Sequence, residues 1–149
     1  MIEHRKSKRD PRGQLMAAAL MAQLDVMAGT PRQTHAMVLR VLRGGDSYMS
    51  TVMKHVNQAG LVLIAIDRNG ERVRLTGYRN LITLLPRIRA DLHITHRKHM
   101  GATLNALGIA DAVRGWFSSR RHIPYLTAFL LFAEASGWHI ELKKEDAPR

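Results

Sequence analysis

The chain has 149 residues, 46% of them apolar, so it can build one ordinary domain or two very small ones, and wholesale disorder is excluded. Lys plus Arg outnumber Asp plus Glu by 23 to 12, a formal net charge of +11, which points to nucleic acid, an acidic membrane surface or an acidic protein as partner. Cysteine is absent, which removes disulfides, iron–sulfur clusters, thiolate zinc sites and a thiol nucleophile, and aromatics at 5% argue against a stacking platform for single strands.

Residues 1–10 (MIEHRKSKRD) read as a flexible basic arm, with Arg5, Lys6, Lys8 and Arg9 as candidate groove or phosphate contacts. Asp10 suits an N-cap and Pro11 a first helical position, so a helix is predicted over 11–28, closed by Gly29. Its methionines, Met16, Met21 and Met27, read as core or as an oligomer interface. Thr30-Pro31 repeats the start signal for a second helix to about Arg43, ended by Gly44-Gly45. Asp46 or Ser47 is expected to cap a third helix, which runs to Ala59 and stops at Gly60.

Leu61–Ile66 (LVLIAI) is short and β-branched, and Asn69-Gly70 separates it from Glu71–Leu75, the pattern of a β-hairpin. Val73 and Leu75 alternate with Arg72 and Arg74, so one face of that strand is buried and the other basic. Helical stretches follow at Tyr78–Leu85, 86–92, 95–106, 110–118 and 124–136, with Pro86 either kinking a helix or starting a new one. Trp138–Leu142 (WHIEL) reads as a strand and 143–149 as a solvated tail.

Two halves are visible. Residues 1–75 carry 12 basic and 6 acidic groups and residues 76–149 carry 11 and 6, so the charge is spread over both. At an offset of 77, Met49, Val52, Met53, Val56 and Gly60 meet Leu126, Phe129, Leu130, Ala133 and Gly137, with Leu61 and Leu63 against Trp138 and Ile140. The spacing i, i+3, i+4, i+7 is one face of a helix, and the unit is helix, glycine, strand in both copies. The expected fold is mostly α, with tandem units over 11–75 and 76–142 and a small sheet made of the hairpin and the last strand.

In the second half Gly108-Ile109-Ala110 opens a short helix, Pro124 lies 16 residues after that glycine, and Ala133-Glu134-Ala135-Ser136-Gly137 closes the next helix before a strand. On these positions residues 84–142 resemble the lambda-repressor-like, or XRE-type, helix-turn-helix family, and through the repeat residues 30–66 resemble it weakly. His96 stands where that family usually has Gln, and Ser118-Ser119-Arg120 where it usually has Glu-x-Gly. The resemblance implies a sequence-specific transcriptional regulator of bacterial, phage or mobile-element type, a repressor of double-stranded DNA targets with no cofactor and no chemistry.

The residues fit that reading independently. Val113, Trp116 and Phe117 form an apolar seam, while Ala110, Asp111, Arg114 and Ser118 face outward. Arg120 and Arg121 follow in the loop where phosphates would lie. In the first half Arg32, Gln33, Thr34 and His35 hold the equivalent helix start, where Gln suits adenine and Arg guanine or phosphate. His96, Arg97 and Lys98 are read as phosphate-facing; His93, His96 and His99 drift off one helix face and carry no metal reading. Trp116 and Trp138 are expected in the core. A tandem chain could supply both recognition helices from one polypeptide and so meet an asymmetric operator.

No Gly-rich phosphate loop, G-x-S-x-G or H-E-x-x-H occurs, so no enzyme is expected. No apolar run approaches the roughly 20 residues of a membrane helix, and no apolar signal region follows the basic start, so a cytoplasmic, nucleoid-associated protein is expected. Two other readings stay open: a degenerate helix-turn-helix that docks on an acidic protein partner, and non-specific nucleic-acid binding. A homodimer is compatible with each.

Overall fold

The structure is a computed structural model and describes residues 9–28, 32–119 and 122–145, without the side chains of 32–34. Of the residues singled out above, Arg5, Lys6, Lys8, Arg120 and Arg121 lie outside that description, as do the side chains of Arg32, Gln33 and Thr34. The fold is mostly α with one three-stranded antiparallel sheet.

Helix α1 spans Pro11–Ala28. Asp10 is its N-cap: one carboxylate oxygen accepts the Arg12 N–H at 2.8 Å and the other the Arg12 guanidinium at 3.1 Å. The Arg12 N–H, then its side chain and charge, hold the Asp10 carboxyl below the usual range against the opposing effect of burial. Helix α2 (Arg32–Leu42) packs on α1 and leads through residues 43–48 into α3 (Met49–Gln58). Asp46 does not cap α3, contrary to expectation. Its carboxylate reaches across the molecule and accepts the Thr127 N–H at 3.2 Å and the Thr127 hydroxyl, capping a helix 81 residues away.

Gly60, at φ +77°, turns the chain into β1 (Leu61–Ile66), and a five-residue loop returns it as β2 (Arg72–Leu75). Asn69-Gly70 sits at the turn as expected, but Asp67 holds it, accepting the N–H groups of Asn69 at 2.8 Å and Glu71 at 2.9 Å.

Helix α4 is continuous over Tyr78–His96 and runs through Pro86, so two expected helices merge. Leu81, Leu84, Leu85, Ile88 and Leu92 are all buried on one face of it. Five such side chains, at roughly 1.5–3 kcal/mol each, outweigh the roughly 3 kcal/mol a mid-helix proline costs. The helix expected over 95–106 is instead the end of α4, a 3-10 turn at Arg97–His99 and α5 (Met100–Ala106). Arg97 has φ +41°, and the chain breaks direction there.

Helices α6 (Ala110–Trp116) and α7 (Leu126–Ala135) follow, then β3 (His139–Lys144). Lys143 and Lys144 thus belong to the last strand, not to a tail. The sheet order is β2-β1-β3, with Leu63 opposite both Leu75 and Leu142.

The 77-residue repeat is visible in three dimensions as a two-fold relation. Met49 N–H donates to the Pro124 carbonyl at 2.7 Å, and Leu126 N–H donates to the Ser47 carbonyl at 2.8 Å, each bond the other's copy at the offset. Between them Tyr48 bridges to Tyr125, its own counterpart, and the rings stack at 4.3 Å. In the sheet Ile64 pairs with Glu141, again its own counterpart. Helices α3 and α7 end alike, with Gly60 at φ +77° and Gly137 at φ +80°. The axis therefore passes between Tyr48 and Tyr125 and between Ile64 and Glu141. The buried side chains of both halves form one continuous core that includes Met53, Leu63, Leu84, Trp116, Phe129 and Trp138. Among the described residues the helices before α3 and α7 match more loosely.

Candidate nucleic-acid interface

Helices α5 and α6 are joined by three residues, Leu107-Gly108-Ile109, with Gly108 at φ +71°. Gly108 N–H donates to the Asn105 carbonyl and Ile109 N–H to the Leu104 carbonyl, each at 3.0 Å, so the end of α5 is satisfied before α6 begins. A short turn with a left-handed glycine is the connection that a helix-turn-helix uses. Leu104, Leu107, Ile109, Val113 and Trp116 are buried beneath it. Trp116 meets Phe132 edge-on at 5.3 Å, which anchors the rear of α6 to α7. The Leu107 carbonyl also accepts the Asp10 N–H at 2.9 Å, so the start of α1 clamps the turn. Both tryptophans are core, as expected; the Trp138 indole N–H donates to Asp91 at 2.7 Å.

The outward set divides. Asp111 and Arg114 project into solvent from successive turns of α6 and pair with each other at 3.2 Å. Ala110 is half-buried, and the Ser118 hydroxyl is taken up by the Gly115 carbonyl at 2.9 Å. Phe117 completes the seam half-buried, with the Arg89 guanidinium 3.9 Å over its ring. Arg97 and Lys98 are exposed on the 3-10 turn, whereas His96 turns inward and its Nε2 meets the Ala135 carbonyl at 2.8 Å. His96 thus ends α7 and does not stand with the exposed cations. His35 is exposed on α2.

Arg9 is not part of a free arm. Its guanidinium donates to the Thr127 hydroxyl at 3.0 Å and pairs with Asp46 at 3.4 Å. The sheet carries further cations: Arg72, His139 and Lys143 lie within 3.3, 3.5 and 3.6 Å of Glu141, Arg74 pairs with Glu145, and Lys144 is exposed and in no ion pair among the described residues. Tyr48 and Tyr125, absent from the expected set, are 44% and 41% exposed where the axis meets the surface. Their hydrogen bond holds the Tyr125 phenol above its usual range, helped by burial and by the charges of Tyr48 and Asp46 and opposed by Arg9. The offset of 77 between these tyrosines was the signal that could have found them. Among the described residues no group of three or more His, Asp or Glu side chains gathers to hold a metal, and no helix is long and apolar enough to cross a membrane.

No protein-family model, curated protein or solved structure matches the chain.

Proposed function

We propose that the chain is a sequence-selective double-stranded DNA-binding protein that acts as a transcriptional regulator of repressor type, by occupying its site and without catalysis. The observation that carries this reading is α6, fixed from behind by Val113 and Trp116 and entered through the Gly108 turn, with only Asp111 and Arg114 fully outward. An exposed ion pair is worth about 0–1 kcal/mol, so the pair opens at little cost. Arg114 then offers its fork to guanine and Asp111 an acceptor to a cytosine amine. The outward face of α6 is polar, which favours nucleic acid over an apolar protein partner.

The test is selection from a random duplex library at moderate salt, followed by affinity measurements on the enriched sequence. One motif is expected to emerge, and Arg114→Ala is expected to lose about 1–3 kcal/mol and relax preference at one base pair. Affinity should fall with salt by several log units per log unit. No enriched motif, or an Arg114→Ala variant with unchanged affinity and preference, would overturn the proposal.

A further inference from the structure

Arg89 is exposed on α4, and its guanidinium lies 3.9 Å over the ring of Phe117, the residue that caps the end of α6. The guanidiniums of Arg9, Arg12, Arg72, Arg74, Arg87 and Arg114 each meet a carboxylate. Arg89 meets none, and its N–H groups reach no acceptor among the described residues. Stacking on a ring occupies the flat face of a guanidinium, while its N–H fork points outward in the plane. The ring therefore fixes where the cation sits and leaves its donors unspent. A side chain already held in place loses less freedom when a ligand arrives. Phe117 follows Arg114 by three residues, about 4.5 Å along a helix axis. The Arg89 fork thus stands one turn beyond the Arg114 fork, at the end of α6, although 25 residues separate the two arginines in the chain.

We propose that Arg89, stacked on Phe117, is a phosphate-binding residue that fixes how far α6 enters the groove. A planar fork matches two oxygens of one phosphate, and a phosphate contact sets register without reading sequence. Arg114 and Arg89 then divide the work: the first discriminates bases and the second holds the backbone. The proposal rests on the DNA-binding reading above and adds to it a named anchor on a different helix.

The experiment uses the full chain, the duplex enriched from the random library and a shuffled duplex of the same composition. Arg89→Met keeps an apolar stem against Phe117 and removes the cation. It is expected to weaken both duplexes by the same factor, roughly tenfold, to leave the enriched motif unchanged, and to lower the slope of log affinity against log salt by about 0.9, the share of one phosphate. Arg89→Lys restores the charge without the fork and should recover only part of the loss. Phe117→Leu should lose part of the affinity in the parent and nothing further in the Arg89→Met background, since the ring acts through the arginine. The control is Arg79→Met, exposed on the same helix and about 15 Å away along it; less than about a twofold loss is expected. Melting temperatures accompany each variant, because a purely structural role would lower stability and leave the salt slope at the parent value. An unchanged slope, a loss confined to the enriched duplex, or equal losses from Arg89→Met and Arg79→Met overturns the proposal and leaves DNA binding standing. Failure of the parent chain to bind any duplex overturns both.

Discussion

Gly13 shows how a single missing side chain sets the spacing of two helices. It is buried where α1 crosses α7, and a methyl group there would stand 2.9 Å from the Leu131 side chain and 2.9 Å from the Thr127 carbonyl. Leu131 could rotate, but the carbonyl belongs to the helix. Gly13→Ala is therefore expected to destabilise the protein by about 1–2 kcal/mol, because an overpacking cost of roughly 1–3 kcal/mol exceeds the helix propensity that alanine gains. Denaturant midpoints check this; an alanine variant as stable as the parent would show that α1 can shift. At this scale the sequence was legible where the chemistry is local. Asp10 and Pro11 announce a helix start because cap and capped N–H are two residues apart. His96 was not legible, because the carbonyl it meets is 39 residues away.

Among the elements, α3 and α7 are coupled through Asp46. A carboxylate just before α3 was expected to serve α3, yet its acceptors are spent on the first turn of α7. Asp46→Ala removes that cap and weakens the polar contacts of the buried Thr127, and a loss of about 1–3 kcal/mol is expected. Asp46→Asn keeps one acceptor and should lose less; equal losses from the two variants would show that charge, not capping, is what matters. Thermal melts of both variants decide. Element types were otherwise readable: α1 and β1 have their expected bounds because glycine, proline and β-branched runs mark them locally. The breaks around α4 were misplaced. Pro86 argues for an end that core packing overrides, while the actual break at Arg97 carries no glycine or proline.

For the whole molecule, the repeat and the sheet were both legible, since a fixed offset and a strand signal survive without knowledge of contacts. The single core was not. The sequence divides at about residue 75, but β1 pairs with β3 and α1 packs on α7, so neither half closes alone. Heat unfolding is accordingly expected to be one transition of about 100 kcal/mol, with calorimetric and van 't Hoff enthalpies equal. Two separated transitions in a calorimeter would mean that the halves are independent domains. The candidate interface was partly legible: the Gly108 turn and Arg114 stand out in the sequence, whereas the tyrosine end of the axis emerges only when the two copies are laid on each other.

That axis has a consequence for how the molecule can change. In an assembly of identical subunits every substitution is made twice, so the two halves of a surface can never diverge. Here each half is encoded separately. Most positions are free to differ, as Gln33 and Ala110 do. The pairs that meet across the axis are different, because each member is the other's neighbour: Tyr48 answers to Tyr125, and Ile64 to Glu141. The members of the first pair are the same residue and those of the second are not. A covalent link between two halves has turned a constraint of symmetry into a choice made position by position.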